Sequence, residues 1–264
     1  MTIPALPTID VGVPANLRLI RVAVPLRRPH AWAGGQVSVR ESVIVEWTRP
    51  DGVTGWGECP AMEGYVTGGI DQAWSGLVEL SGRLVADSVA AGPAGTWDGE
   101  VESIPTVSLG AMADAALDAA LRSANASFHE FLGANGTPLD RTVVIGGPGA
   151  DPAARLESVA SARASGAACV KLKVDPSTSA DLVRRCVEGG GPVAVDANGS
   201  LSADAAAAFD ALGLLYIEQP FPAGVLWDDL ADYQEGALTA MALDESLGSL
   251  DDLDEALAAA AADV

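Results

Sequence analysis

The chain has 264 residues, of which 49% are hydrophobic and 19% charged, and its formal net charge is −21 from 36 acidic against 15 basic residues. That length can bury a large core in one or two domains, and the composition is that of an ordinary soluble enzyme. A surface this acidic repels phosphate backbones and anionic lipid, which argues against nucleic-acid or membrane partners. It leaves the substrate's charge open, because a metal and a few lysines can reverse the field locally.

The three cysteines, Cys59, Cys169 and Cys186, are scattered and odd in number, without CxxC spacing. They fit a reducing cytoplasm and argue against a disulfide framework or a structural zinc. The opening MTIPALPTIDVGVPAN lacks the basic and apolar regions of a signal peptide, and no apolar run approaches a membrane span. The expected setting is soluble and cytoplasmic.

In chain order, β-branched and alternating segments come first: LRLIRVAV (17–24), ESVIVEW (41–47), the turn RPDG, and GWGE (55–58). Asp-Gly between strand-like runs predicts a hairpin. Helical patterning follows over about 70–90, and the Gly/Pro-rich AAGPAGTWDG interrupts it. This portion, 1–108, reads as a small α+β domain. A helix at about 109–124 then leads through FHEFLGANGTPLD into a second domain, 109–264.

From Arg141 the texture becomes strand, loop, helix, repeated. Strand candidates are RTVVIGG (141–147), CVKLKV (169–174), PVAVDAN (192–198), LLYIEQP (214–220) and LTAMALDE (238–245), with helical stretches such as 152–165, 177–188, 202–212 and 249–262. The alternation predicts βα units on a parallel sheet. Its regularity favours a (β/α) barrel over an open doubly wound sheet, and no GxGxxG turn supports a dinucleotide fold.

Polar residues sit where these strands end. Lys171 and Lys173 lie in the second, Asp196 and Asn198 end the third, Glu218 and Gln219 the fourth, and Asp244 and Glu245 the fifth. In a parallel barrel these ends meet at the face that carries active sites. Three converging carboxylates repel one another unless a cation sits among them, and all-oxygen ligands suit Mg²⁺. His30 and His129 both lie outside the repeat, which argues against a histidine-based zinc site. The lysines' period-2 spacing sends both to one side of the strand, and a lysine desolvated among cationic neighbours loses proton affinity and can serve as a general base. Each residue also has a plainer reading. Asp196 alone would suit an N-cap or a loop, Asn198 a turn, and Arg40 and Glu41 a charged strand edge. Glu245 reads as a partner that orients a ligand or a lysine rather than as a ligand itself.

KxK on one strand, then VDAN, YIEQP and LDES, resembles the mandelate racemase and muconate lactonising branch of the enolase superfamily. Within it, the o-succinylbenzoate synthase / N-succinylamino acid racemase group is the most similar. The RxPH…GG…RESVIVEW and GWGEC segments are similar to that family's capping domain. The resemblance implies an N-terminal α+β capping domain on a (β/α)₇β TIM-type barrel, of which only about the first five to six barrel strands are present. It implies Mg²⁺ held by Asp196, Glu218 and Asp244, Lys173 as general base, and Lys171 beside it to tune the base and steer the carboxylate. Loops 27–40 and 58–69 would close over the substrate, with Arg40, Asn198 and Glu245 as substrate or supporting contacts.

The shared chemistry is removal of a proton α to a carboxylate, through an enediolate. The implied activity is Mg²⁺-dependent o-succinylbenzoate synthesis, by dehydration of 2-succinyl-6-hydroxy-2,4-cyclohexadiene-1-carboxylate toward menaquinone. The alternatives are an N-succinylamino acid racemase, a dipeptide epimerase, or a non-catalytic truncated relative. The resemblance places a second lysine on a sixth strand, beyond Val264. The chain is therefore expected to be C-terminally truncated, or to complete its barrel by partnering, including with copies of itself. As it stands it retains more of the synthase's machinery than of the racemase's.

Overall fold

The computed structural model describes residues 9–32, 35–62, 68–86, 90–91, 97–101, 103–134, 136, 138–146 and 150–263. They fall into two compact units, one within Met1–His30 and Val37–Thr137, the other within Ala31–Gln36 and Pro138–Val264.

The first unit is built on a three-stranded sheet, β1 (Asn16–Trp32), β2 (Gly35–Thr48) and β3 (Thr54–Ala61), in that order. β2 and β3 form the anticipated antiparallel hairpin, with Val45 opposite Gly57. The Arg49 amide closes its turn on the Val53 carbonyl at 2.9 Å, and Gly52 takes the left-handed φ of 85° that the tight reversal requires. Val43, Val45 and Trp47 alternate inward and are wholly buried. They share a core with Leu77 and Leu80 of α1 (Ile70–Val85) and Met112 of α2 (Thr106–Ser123). A two-residue pair, β4 (Ala90–Ala91) with β5 (Trp97–Asp98), flanks the Gly/Pro-rich stretch. α3 (Phe128–Phe131) is a single turn closed by a capping box between Ser127 and Glu130.

The division after Thr137 corrects the boundary at 108/109 read from the sequence. α2 belongs to the first unit because its small residues lie directly on β3. A Cβ added at Gly57 would stand 1.9 Å from the Ala111 carbonyl, and one at Gly55 would stand 2.1 Å from the Ala119 nitrogen. Asp118 of α2 also accepts from the Trp56 amide at 2.9 Å. Helix and strand backbones meet there with no side chain between them.

The second unit carries five parallel strands, β6 (Thr142–Ile145), β7 (Cys169–Lys173), β8 (Val193–Asp196), β9 (Ile217–Glu218) and β10 (Met241–Ala242). Their spatial order is their chain order, as in an arc of a barrel, and not the reversing order of a doubly wound sheet. Between and after them run α4 (Pro152–Ala164), α5 (Ala180–Glu188), α6 (Ala203–Asp210), α7 (Trp227–Gly236) and α8 (Leu250–Ala259). Val170, Leu172, Val193, Val195 and Ile217 fill the core between sheet and helices. All five strands are shorter than the apolar runs that announced them, so the polar residues closing each run lie at or just past a strand end.

Candidate active site

β7 separates two kinds of side chain by its pleat. Val170 and Leu172 are buried in the core, while Lys171 and Lys173 share the opposite face. Register then places their neighbours: Lys173 stands level with Asp196 on β8, and Asp196 level with Glu218 on β9. Parallel pairing points register partners to the same side, so these residues meet at the C-terminal end of the strands.

The contacts are close. Lys173 Nζ donates to Asp196 Oδ2 at 2.5 Å and to Asn198 Oδ1 at 2.7 Å. Lys171 Nζ donates to both oxygens of Glu218, at 2.7 and 2.8 Å, and lies 3.4 Å from Asp196 Oδ2. Asn198 passes the contact on, its Nδ2 donating to Glu245 Oε1 at 2.7 Å. The other Glu245 oxygen is buried without a hydrogen-bond partner among the described residues.

The turn after β8 makes this geometry available. Asp196 Oδ1 accepts from the Asn198 amide at 3.1 Å, and Asn198 adopts a left-handed φ of 45°. Gly199 follows at φ 72°, where an added Cβ would stand 3.0 Å from Pro222 Cα. DANG thus reverses the chain tightly enough to bring the Asn198 side chain back over Lys173.

The electrostatics of Lys171 and Glu218 point the same way. Burial works against the Lys171 ammonium, but its bonds to Glu218 and the charges of Asp196 and Glu218 outweigh burial and hold it above the usual lysine range. Burial, then the charges of Asp196 and Asp244, push the Glu218 carboxyl up in spite of Lys171. An acid and a base that both hold protons tightly mark a net-negative cluster. By formal charge, the four carboxyl groups here (Asp196, Glu218, Asp244, Glu245) outnumber the two lysines by two. The neighbours of Lys171 are thus anionic, Glu218 and Asp196, rather than cationic.

The three carboxylates expected to bind metal are not drawn together into a coordination shell. Among the described residues no three histidine, cysteine, aspartate or glutamate side chains converge in that way. Lys171 instead reaches Glu218 and Asp196 at once. An ammonium bridging two carboxylates is itself a stand-in for a cation, and a two-charge deficit with all-oxygen donors suits one hard divalent ion.

Arg40 lies on β2 in the first unit, where Nη1 is 3.6 Å from Met62 Sδ. The loops 27–40 and 58–69 fall partly outside the described residues.

Two residues were not given roles by sequence reasoning. Arg155 of α4, buried, donates from Nη2 to the Lys173 carbonyl at 2.9 Å and so anchors the end of β7. No local pattern distinguishes it from a surface arginine on an amphipathic helix. Gln219, visible as the polar residue after Glu218, is buried and bonded at both ends of its amide.

With this geometry in place, comparison with known families is decisive. The N-terminal domain profile of the mandelate racemase / muconate lactonizing enzyme family matches residues 15–133, and the enolase C-terminal domain-like profile matches residues 154–264. The chain belongs to the enolase superfamily. The gap between the two matched regions brackets the structural division after Thr137. Among curated relatives, the chain is 30% identical over 256 residues to an o-succinylbenzoate synthase of Geobacillus stearothermophilus, covering 90% of this chain and 65% of that protein. It is 31% identical over 248 residues to an N-succinylamino acid racemase of Amycolatopsis, covering 89% and 66%. The chain thus spans just under two thirds of these relatives' length. A superfamily member of Listeria innocua superposes with a TM-score of 0.78 at 23% identity, over 93% of this chain and 68% of that one, which supports the shared fold. Enolase-superfamily architecture therefore holds here, with an N-terminal α+β domain followed by five strands of the barrel among the described residues.

Proposed function

We propose that the chain carries the Mg²⁺-dependent α-proton abstraction machinery of an o-succinylbenzoate synthase. The observation that carries this reading is the cross-strand set Lys171, Lys173, Asp196 and Glu218, two lysines on one face paired with two carboxylates at the ends of successive strands. Three curated relatives named as o-succinylbenzoate synthases, from Geobacillus and Bacillus, support the choice of substrate.

In this reading Asp196, Glu218 and Asp244 would hold Mg²⁺, which when bound supplies electrostatic stabilisation of negative charge developing on the substrate carboxylate. Lys173 Nζ takes the proton α to that carboxylate. The electron pair left behind expels the hydroxyl from the adjacent carbon, and Lys173 returns its proton so that the hydroxyl departs as water. Asn198, bonded to Nζ at 2.7 Å, aims the amine, and Glu245 fixes the Asn198 amide in turn. Lys171 steers the substrate carboxylate.

The second reading, an N-succinylamino acid racemase, is favoured by the Amycolatopsis relative, whose 31% identity matches that of the synthases. One experiment separates the two. The chain is incubated with Mg²⁺ and 2-succinyl-6-hydroxy-2,4-cyclohexadiene-1-carboxylate while formation of the aromatic product is followed by absorbance. In parallel, N-succinyl amino acids in D₂O are followed for α-deuterium incorporation. Aromatic product with negligible exchange supports the synthase, and exchange without aromatisation supports the racemase. In either case Lys173→Ala should reduce the rate by about 10²- to 10⁴-fold. Absence of both reactions over the full range of Mg²⁺ concentration would remove the catalytic reading.

A further inference from the structure

We infer that Gln219 is a positioning residue that sets the coordination geometry of the site by fixing where Asp244 stands, an inference resting on the Mg²⁺ reading above.

The backbone ladder between β9 and β10 ends early. Its last bond runs from the Gln219 amide to the Ala242 carbonyl at 2.8 Å, yet Asp244 lies two residues further on. From there a side chain replaces the ladder. Gln219 Oε1 accepts from the Asp244 amide at 2.9 Å and from the Ser246 amide at 3.2 Å. Its Nε2 donates to the Phe221 carbonyl at 2.8 Å and to Ser246 Oγ at 2.7 Å. Two accepted and two donated bonds use the full capacity of a primary amide.

No other side chain reproduces that set. Glutamate keeps the acceptor and loses both donors, asparagine is a methylene too short, and leucine fills the space with no bonds at all. The backbone shows the same constraint. Gln219 is buried at 1% exposure and holds a left-handed φ of 39°, a conformation disfavoured for a residue with a Cβ. That conformation turns the side chain across to the chain following β10, away from the strand direction that Glu218 keeps. Glu218 and Asp244 are thereby tied through one residue: Glu218 by the peptide bond to Gln219, Asp244 by the hydrogen bond its amide gives to Gln219 Oε1.

The distinguishing consequence is ion selectivity. Mg²⁺ demands near-ideal octahedral geometry, whereas Ca²⁺ accepts irregular shells. Gln219→Leu keeps the volume and releases Asp244, so it should cost Mg²⁺ more than Ca²⁺. Calorimetric titration of the chain with each ion tests this. In Gln219→Leu the Mg²⁺ dissociation constant should rise roughly 10- to 100-fold, and that for Ca²⁺ by less than about threefold. A variant that is merely less folded weakens both ions by one common factor, leaving their ratio unchanged. Ser246→Ala, which removes one Nε2 acceptor and keeps Oε1, should shift the ratio in the same direction by less, and it decides the matter if Gln219→Leu does not fold. An unchanged Mg²⁺/Ca²⁺ ratio in the folded variants overturns the role of Gln219 alone. Failure of the unsubstituted chain to bind either ion overturns the metal reading and this inference with it.

Discussion

Replacing Glu218 with glutamine changes one charge in the site at nearly constant volume, and the structure assigns it two opposite effects. Without metal, Glu218 is a carboxylate pushed up first by burial and then by Asp196 and Asp244. A carboxyl whose folded value is raised contributes stability that is full below its unfolded value and is lost as pH rises through the folded one. Ionising Glu218 is therefore costlier in the fold than in the unfolded chain, even counting its two bonds to Lys171. Glutamine mimics the protonated acid and removes that cost. The metal-free variant should melt at the same temperature as the unsubstituted chain or higher.

With Mg²⁺ the order reverses. An ion that binds only the folded state at 100 times its dissociation constant adds about 2.7 kcal/mol. For a protein of this size that is worth roughly 5–10 °C in Tm. Glu218→Gln removes one of three anionic ligands and leaves Lys171 competing for Asp196, so its Mg²⁺-dependent gain should fall below about 2 °C at the same concentration. Thermal unfolding followed by circular dichroism at neutral pH, with and without Mg²⁺, measures both effects. An undiminished Mg²⁺ shift in the variant would show that Glu218 is not a ligand. A strongly lowered metal-free Tm would refute the net-negative account of the cluster.

Two further outcomes follow from the same structure. Because Glu218 holds its proton above the ordinary carboxylate range, protons should compete with Mg²⁺ at higher pH than at an ordinary glutamate. Calorimetry between about pH 5 and 8 should find affinity falling with pH, and a flat profile would contradict the assignment. In the first unit, Gly57→Ala drives a methyl group onto the Ala111 carbonyl. The expected loss in urea unfolding is about 3 kcal/mol or more, and a loss under about 1 kcal/mol would mean that α2 does not lie on β3 as described.

What the sequence makes legible here is what depends on periodicity. The strand and helix alternation from Arg141 onward gives the parallel sheet, and the period-2 spacing of Lys171 and Lys173 puts both on one face. The polar closing residues of each run give the strand ends. What it leaves hidden depends on contacts between distant segments. α2 reads as a helix, but its membership in the first unit comes from Gly55 and Gly57, whose lack of a Cβ is indistinguishable in sequence from turn propensity. Gln219 reads as one polar residue among several, and only the tertiary structure shows both ends of its amide satisfied. The sign of the electrostatics at Lys171 was also out of reach, since it depends on which charges come within about 4 Å.

The arrangement of the lysines shows why a KxK pair, rather than one lysine, suits such a site. Lys173 pairs with the residue level with it, Asp196. The residue level with Lys171 is Ala194, wholly buried and too small to obstruct. The Lys171 stem therefore passes over β8 and reaches Glu218, two strands away at roughly 4.8 Å per strand. The two ammonium groups thus serve carboxylates on successive strands from a single strand, each at a different height. Without them, Asp196 at 1% exposure would be a buried charge lacking any cationic partner that the structure shows. The same lysines that hold the carboxylates in the folded chain are, on the proposed reading, the groups that face the substrate once those carboxylates are engaged elsewhere. Their spacing and the alanine between their targets are what let one strand do both.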